Sequence, residues 1–345
     1  MSKLKVGVIG LGMGRHHAEQ FAKHAKCDLV AVADLDEKRF ERVKELGVKQ
    51  TYTDPEEMLK KEELDIVAVA TPNKFHKPLT VAALEAGSHV LCEKPMAMNA
   101  QEAQEMLDAA EKAGKRIMIN FSFRFSPQSW QLKKEVESGV LGDIYFARTQ
   151  WLRRRGLPGF GGWFGQKALS GGGPLIDLGV HRLDLALWLM GYPKPVWVMG
   201  NTYNLIGSRL AKEQGKDFDV EDLAAAMIRF ENGASMHLIA SWASNIKEGE
   251  LMETRLLGSE GGMIQYNTDG GYKFAAELYV ERNGCQYDMQ PTHRIPNVGS
   301  AMHHFADCII NDEPHSATGE EGLIVMKLLD AIYASSEKGE PIRID

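Results

Sequence analysis

The hydrophobic positions of this chain follow two different patterns, and the change falls near residue 125. Before it, short apolar runs alternate with amphipathic segments, as is typical of buried parallel strands separated by helices. This alternation predicts a doubly wound parallel sheet, whose ligands bind at the carboxyl ends of the strands. The predicted strands lie directly before Gly10 and at 29–33, 65–70, 89–92 and 116–121. Helices are predicted at 37–46 and 99–113, and between them one helix begins at residue 55 and another ends at residue 87.

After a helix that starts at Ser126, predicted strands follow one another without intervening helices. They lie at 144–152, 196–204, 223–230, 234–242, 253–257 and 263–266, and two helices at 298–310 and 320–338 finish the chain. We therefore predict an α/β fold joined to an α+β fold. A domain over 1–124 carries the parallel sheet, and a domain over 125–345 carries a largely antiparallel open sheet with flanking helices.

Composition narrows the possible partners. The chain has 345 residues and a formal net charge of -7, which argues against a nucleic-acid surface. Its longest apolar region, 174–199, carries several charged residues and is not a membrane span. Four cysteines without a CxxC pair predict neither a disulfide framework nor a metal site. Because the first residues lead straight into a strand, we expect no signal peptide and a reduced, cytoplasmic setting.

Three spaced glycines, Gly10, Gly12 and Gly14, break the first apolar run where a helix should begin. Such glycines let the chain turn sharply, let the backbone approach a pyrophosphate, and let the helix pack on the strand. Asp34 follows the next strand, twenty residues after Gly14, where a Rossmann fold places the acid that holds the ribose hydroxyls. We therefore predict a dinucleotide cofactor. NAD is expected over NADP because a carboxylate repels a 2′-phosphate, although the nearby Arg39 could soften this preference.

One predicted helix, from Pro174 to the residue before Gly191, combines an apolar surface with a polar stripe. Asp177 and His181 are four residues apart, a spacing that lets a carboxylate hold an imidazole in one tautomer as a base. The alternative is an exposed surface ion pair, which the spacing alone favours. Lys94 shifts the balance toward a site, because it directly follows a buried strand of the parallel sheet.

Several motifs taken together resemble one family nearly end to end. They are Gly10-x-Gly12-x-x-Arg15 with Asp34, Ala70-Thr71-Pro72-Asn73 with His76, Glu93-Lys94-Pro95, and Gly172-Gly173 with Asp177-x-x-x-His181. This set resembles the Gfo/Idh/MocA oxidoreductases, the group of glucose-fructose oxidoreductase and inositol dehydrogenase. The resemblance implies hydride transfer between NAD and a secondary hydroxyl of a sugar, cyclitol or related polyol.

The resemblance also implies roles for particular residues. His181 is expected to act as the base, Lys94 to stabilise the alkoxide and Asp177 to orient its neighbours, with a cis peptide bond between Lys94 and Pro95. Cofactor contacts are expected from Gly10, Gly12, Met13, Gly14, Arg15, Asp34, Arg39, Thr71, Pro72, Asn73, His76, Glu93, Lys94 and Asn120. Substrate contacts are expected from Lys94, Arg124, Trp151, Arg153, Trp163, Asp177 and His181.

The segment 151–169 places aromatic and arginine side chains among glycines, directly before the helix with His181. Aromatic faces and guanidinium groups suit hydroxyl-rich rings and acidic sugars, so the segment is either a pocket lid or an oligomer contact. A solvated charge run is an equal alternative for Arg153-Arg154-Arg155. We expect a homodimer or homotetramer formed through the second sheet. Other readings are an NAD-dependent glycoside-cleaving enzyme and a non-enzymatic NAD-binding sensor.

Overall fold

The structure is a computed structural model that describes residues 3–292 and 298–344. The chain forms two compact units. Unit 1 comprises Met1–Phe121 and Gly299–Met326, and unit 2 comprises Ser122–Val298 and Lys327–Asp345. The first boundary lies three residues before the predicted one. The return of Gly299–Met326 to unit 1 corrects the expectation that all of 125–345 forms the second domain.

Unit 1 contains a six-stranded sheet in which every pairing is parallel, with strand order β3-β2-β1-β4-β5-β6. This order confirms the predicted Rossmann sheet. Its strands are β1 (Leu4–Ile9), β2 (Cys27–Ala33), β3 (Gln50–Tyr52), β4 (Ile66–Val69), β5 (His89–Cys92) and β6 (Ile117–Ile119). Helices α1 (Gly14–Lys23), α2 (Pro55–Lys61), α3 (His76–Glu85) and α4 (Ala100–Ala113) alternate with them.

The register of this sheet brings five strand ends into one row. Ile9 pairs with both Ala33 and Val69, Val69 pairs with Cys92, and Cys92 pairs with Ile119. In a parallel sheet, paired residues lie at the same height along their strands. The residues that directly follow them therefore share one edge of the sheet: Gly10, Asp34, Ala70, Glu93 and Asn120.

Side-chain caps explain why several helices begin where they do. The carboxylate of Asp54 accepts the amide N–H of Glu56 at 2.9 Å, and the amide oxygen of Asn99 accepts that of Glu102 at 2.9 Å. Each cap satisfies an N–H group that the first helical turn leaves without a partner. Both starts agree with the sequence pattern.

Unit 2 contains a nine-stranded sheet of order β14-β13-β12-β11-β7-β10-β9-β8-β15. Within the described residues its pairings are antiparallel except for β7 with β10, which confirms the largely antiparallel prediction. The strands are β7 (Ile144–Arg153), β8 (Pro195–Tyr203), β9 (Leu223–Phe230), β10 (Ser235–Ser241), β11 (Glu250–Gly258), β12 (Gly261–Asn267), β13 (Phe274–Arg282), β14 (Cys285–Met289) and β15 (Ile342–Arg343). The helices are α5 (Pro127–Glu137), α6 (Lys167–Ser170), α7 (Val180–Met190) and α8 (Ile206–Glu213), and a π-helical turn, Leu175–Gly179, leads into α7.

Gly299–Met326 belongs to unit 1 because it covers the outer edge of β6. This segment holds α9 (Ala301–Asn311) and the first part of α10 (Gly319–Lys338). The amide of Ile119 donates to the carbonyl of Ala317 at 2.8 Å, and Met118 pairs with Thr318 in a single antiparallel bridge. An open sheet edge is thereby closed by the end of the chain.

Two predicted helices differ from the structure. Residues 37–46 form two 3-10 segments, Glu37–Arg42 and Lys44–Leu46, because the stretch is too exposed for packing to hold a longer helix. The predicted helix from Pro174 begins with the π-helical turn, which changes the spacing around Asp177. No helix in the described part of the chain is long and apolar enough to cross a membrane.

Candidate functional site

Each glycine of the first loop meets a different steric demand. Gly10 has φ +87, and a Cβ there would lie 2.6 Å from the carbonyl oxygen of Ala70. A Cβ on Gly14 would lie 3.0 Å from a methyl group of Val8, so this residue lets α1 approach the sheet closely. Gly12 is open, since the nearest atom to its Cβ position is a guanidinium nitrogen of Arg39 at 3.7 Å. The loop can therefore admit a ligand against its backbone at Gly12.

Helix α1 begins at Gly14, the last glycine of this loop. Met13, at its N-cap, makes no side-chain cap hydrogen bond and is 63% exposed. The first-turn N–H groups and the positive end of the helix dipole suit a pyrophosphate. Arg15 pairs with Glu19 at 2.8 Å on the exposed side of the helix.

Asp34 is held against the glycine loop by its own hydrogen bonds. Its Oδ2 accepts the amide of Leu11 at 2.6 Å and an N–H of Arg39 at 3.1 Å, while its Oδ1 accepts the amide of Asp36 at 2.9 Å. The side chain is buried with one edge at the loop. Asp34 is thus a fixed acceptor at the end of β2, with Arg39 beside it.

A buried network surrounds Glu93 at the end of β5. His17 Nε2 and the side-chain N–H of Asn120 each lie 2.7 Å from its Oε1, and the amide of Lys94 donates to its Oε2 at 3.1 Å. Burial alone raises the pKa of this carboxyl. The hydrogen bonds from His17 and Asn120 and the charge of Lys94 reverse the shift and lower the pKa to about 2. Glu93 is therefore an anion that fixes the backbone at Lys94.

Lys94 itself is half-buried, and its peptide bond to Pro95 is cis, as predicted. His76 is fully buried, with its ring nitrogens 2.7 Å from the carbonyl oxygen of Pro95 and 2.9 Å from that of Thr71. Burial lowers the pKa of His76, and the ring bridges the loops after β4 and β5. Asn73 is buried in the same turn. His76 therefore positions these two loops through its contacts with their backbone carbonyl oxygens.

Four buried polar atoms of unit 1 have no hydrogen-bond partner within the described ranges: His17 Nδ1, Thr71 Oγ1, Thr80 Oγ1 and Asn120 Oδ1. Asn120 lies on the row of strand ends, and Thr71 directly follows Ala70 of that row. Unmet buried polar groups of this kind are typical of a site that awaits a ligand. Together with the open Gly12 and the fixed Asp34, they fit the phosphates, ribose hydroxyls and amide of a nicotinamide dinucleotide.

In unit 2, the side chains of His181 and Asp177 are set by aromatic neighbours. His181 is 9% exposed, with its ring centroid 5.0 Å from that of Phe123 and 5.8 Å from that of Trp151. Asp177 is half-buried and accepts the indole N–H of Trp242 at 3.0 Å. This burial rules out the exposed surface ion pair that the spacing alone allowed.

Glu221 caps the start of the segment that carries Asp177. Its carboxylate accepts the amides of Gly173 at 2.9 Å and Leu175 at 3.0 Å and the hydroxyl of Tyr333 at 2.9 Å. Burial raises the pKa of Glu221. A Cβ on Gly173 would lie 2.1 Å from the carbonyl oxygen of Glu221, so only glycine fits there. The π-helical turn is thus anchored at its first residue.

Arg124 was expected to bind substrate, but the structure places it in the core of unit 2. Its side chain is 1% exposed and forms a two-point ion pair with Asp184, Nε to Oδ2 at 2.9 Å and Nη2 to Oδ1 at 2.5 Å. The hydroxyl of Tyr192 lies within hydrogen-bond distance of both partners. Arg124 therefore holds α7 in place and is not available as a substrate contact.

The arginines at the end of β7 are bound by their own unit. Arg153 donates to Glu250 at 2.7 Å and to the hydroxyl of Tyr272 at 3.2 Å, and Trp151, 3% exposed, donates its indole N–H to Glu250 at 2.6 Å. Arg154 and Arg155 donate to the segment 244–247. Arg153 is therefore tied to unit 2 by these contacts, whereas Arg154 and Arg155 are exposed at its surface.

The rest of the segment 151–169 packs through its aromatic residues. Trp163 stacks on Phe164 with ring centroids 3.9 Å apart, and Phe164 packs against the buried cluster that contains Trp151 and Trp242. Trp163 is half-exposed. The segment is thus anchored on the core of unit 2 and presents one indole at its surface.

Four residues that support these groups were absent from the predicted site: His17, Phe123, Glu221 and Trp242. His17 had a signal in the sequence, because it shares the buried face of α1 with Gly14, Ala18 and Phe21. The other three lie far along the chain from the groups they contact, so spacing gives no sign of them.

Two family models of known proteins match nearly the whole chain. Residues 4–121 match a family model described as "Oxidoreductase family, NAD-binding Rossmann fold", and residues 133–344 match its partner, "Oxidoreductase family, C-terminal alpha/beta domain". Unit 1 is therefore an NAD-binding domain.

Individual relatives cover nearly the full length. The D-glucoside 3-dehydrogenase of Escherichia coli (strain K12) is 35% identical over 356 residues, covering 99% of this chain and 98% of that protein. The myo-inositol 2-dehydrogenase of Thermotoga maritima is 27% identical over 365 residues, covering 99% of each. The crystal structure of GenD2 from gentamicin A biosynthesis, in complex with NAD, superposes with a TM-score of 0.83 at 27% identity, covering 100% of this chain and 97% of that one.

Proposed function

Since the chain belongs to the Gfo/Idh/MocA family of oxidoreductases, we propose that it oxidises a secondary hydroxyl on the ring of a sugar, cyclitol or related polyol, with His181 as the base. It is an NAD-dependent dehydrogenase that acts on CH–OH groups. The family and the relatives support this much. The residue roles and the substrate class are our proposal.

The observation that carries the proposal is the burial of His181 beside Phe123 and Trp151, on a segment whose Asp177 is fixed by Trp242. A hydride leaves carbon only as the hydroxyl loses its proton, so the reaction needs a positioned base that is shielded from water. NAD held at the glycine loop and Asp34 would supply the hydride acceptor. His181 takes the hydroxyl proton, and Asp177 orients the groups around it.

Lys94 is proposed to stabilise the negative charge that develops on the substrate oxygen. Its backbone is fixed by the Glu93 carboxylate, which His17 and Asn120 hold in turn. A cation held in advance costs no reorganisation when the charge appears, and such groups commonly contribute factors of about 10²–10³. Glu93 and His17 act through Lys94 as positioning residues.

The proposal is tested with His181→Ala, followed by absorbance of the reduced cofactor on a panel of cyclitols, aldoses and glycosides. We expect kcat/KM to fall by roughly 10²-fold or more and the acidic limb of the pH profile to disappear, while the Kd for NAD stays within about twofold. His237→Ala is the matched control, because His237 is an exposed histidine on β10.

Two outcomes would contradict these roles. Activity near wild type in His181→Ala would leave Lys94 as the proton acceptor. Joint loss of stability and NAD binding would make His181 a structural residue. Turnover without added NAD would instead favour a glycoside-cleaving enzyme that retains its cofactor. If the protein binds NAD but oxidises no member of the panel, the result would favour the alternative of a non-enzymatic NAD-binding sensor.

The remaining proposals concern cofactor choice and assembly. We propose that NAD is preferred over NADP, because the Asp34 carboxylate lies where it would repel a 2′-phosphate. We also propose a homodimer or homotetramer formed through the sheet of unit 2. Light scattering coupled to gel filtration tests this assembly.

A further inference from the structure

A groove in unit 2 lies beside the aromatic neighbours of His181. It has a volume of about 780 Å³ and is bounded by two segments, 122–128 and 268–274. This volume is in the range typical of sites for small organic ligands, about 300–1,000 Å³. The cofactor motifs and the proposed proton transfer use neither segment except through Phe123.

The lining of the groove combines aromatic faces with hydrogen-bonding groups. Phe123 and Phe274 form one wall with ring centroids 5.7 Å apart, and Tyr272 is 61% exposed beside them. Gln128, Thr268 and Lys273 supply amide, hydroxyl and ammonium groups. Aromatic faces next to polar groups fit a ring that has one apolar face and a hydroxylated rim.

The aromatic wall is fixed before any ligand arrives. The guanidinium of Arg182 is fully buried, and its central carbon lies 4.6 Å from the ring centroid of Phe123 and 5.3 Å from that of Phe274. A desolvated cation on ring faces is a strong cation–π contact. Arg182 also donates to Gln265 at 3.1 Å, which ties the wall to β12. A preformed wall reduces the ordering cost of binding.

The groove is continuous with the proposed catalytic residues. Phe123 contacts His181 at 5.0 Å and Trp151 at 5.3 Å between ring centroids. At the other end, the Tyr272 hydroxyl accepts from Arg153, which packs over Trp151. A substrate whose hydroxyl reaches His181 would therefore direct its far side toward Phe123 and Tyr272.

We propose that this groove is a subsite for a second ring, joined through a glycosidic bond to the ring that is oxidised. The inference rests on the proposed function and narrows its substrate class to glycosides that carry a ring-shaped substituent. Stacking requires only a flat apolar face, so a sugar ring and an aryl group satisfy the same chemistry. The groove adds binding for these substrates beyond that available to a free monosaccharide.

The test compares kcat/KM for glucose, methyl glucoside, phenyl glucoside and cellobiose in wild type and Tyr272→Ala. Wild type is expected to prefer the phenyl glucoside and cellobiose over methyl glucoside. In Tyr272→Ala that preference should shrink about tenfold. Tyr272→Phe keeps the ring and loses the hydroxyl that accepts from Arg153, so it should retain the preference. Tyr287→Ala is the control, because Tyr287 is a comparably exposed tyrosine on β14 outside the groove.

The inference is overturned if Tyr272→Ala lowers kcat/KM by the same factor for all four compounds or leaves the preference intact. It is overturned equally if wild type shows no preference for a second ring. If no compound is oxidised, the proposed activity fails on this panel, and the subsite is judged by titration calorimetry with phenyl glucoside. Binding that Tyr272→Ala weakens then supports the subsite, and absent or unchanged binding rejects it.

Discussion

Replacing Arg124 with methionine tests whether this residue serves the fold or the substrate. The Arg124–Asp184 ion pair is 1% exposed on both sides and joined by two hydrogen bonds. Removal of one partner from a buried pair typically costs about 3–5 kcal/mol, because the other charge stays in a low-dielectric core. With an m-value of about 2 kcal/mol/M, the urea midpoint of unit 2 should fall by about 2 M.

The assay can be confined to unit 2, because all six tryptophans lie in it. Tryptophan emission during urea unfolding therefore reports this unit alone. The double variant Arg124→Met with Asp184→Leu should recover most of the stability, since it removes both charges. Arg209→Met, which breaks an exposed helical pair with Glu213, should change the midpoint little.

A different result would return Arg124 to the substrate site. If Arg124→Met unfolds at the wild-type midpoint but raises KM for the polyol without changing kcat, the guanidinium binds substrate and the reasoning from burial is wrong. If the urea midpoint falls while KM stays constant, the structural role is established.

Two further predictions concern unit 1. Asp34→Ser should narrow the preference for NAD over NADP, because it removes the repelling carboxylate and frees the Arg39 guanidinium for a 2′-phosphate. The ratio of kcat/KM with NAD to kcat/KM with NADP measures this preference. Asp36→Ser is the control. An unchanged ratio would mean that Asp34 does not face the ribose. His17→Ala should destabilise unit 1 at pH 7 by about 1.5–3 kcal/mol, the value of a hydrogen bond to a charged group. Because the folded pKa of Glu93, about 2, lies below its ordinary 4.5, the stabilisation is complete above pH 4.5 and is lost as pH falls through 2. The difference in unfolding free energy between wild type and His17→Ala, measured by amide hydrogen exchange, should therefore become smaller below pH 4.5. A difference that does not change with pH would contradict this account.

The sequence was sufficient for features that depend on neighbouring residues. Apolar runs located the strands around Gly10, Asp34 and Glu93, because a buried parallel strand needs an unbroken hydrophobic stretch. Caps such as Asp54 and Asn99 marked helix starts for the same local reason.

Features that depend on distant parts of the chain were missed. Strand β14 is exposed at every position, so no burial pattern marks it. The π-helical turn before α7 leaves no trace in hydrophobic spacing, and Glu221, which accepts the amides of Gly173 and Leu175, lies 48 and 46 residues further along the chain. The expected substrate role of Arg124 followed from the family resemblance, whereas its ion-pair partner, Asp184, lies sixty residues away in the sequence.

The closure of β6 by residues near the end of the chain has a consequence for biosynthesis. A nascent chain makes residues 3–121 early, yet Ile119 and Met118 meet Ala317 and Thr318 only after the first and larger part of unit 2, residues 122–298, has been translated. Domains usually fold as they emerge from the ribosome, the N-terminal one first. Here the sheet of unit 1 carries an open edge while residues 122–298 are synthesised. Its completion is a late event, and a transcript cut short before codon 317 would yield a sheet exposed to pairing with other chains.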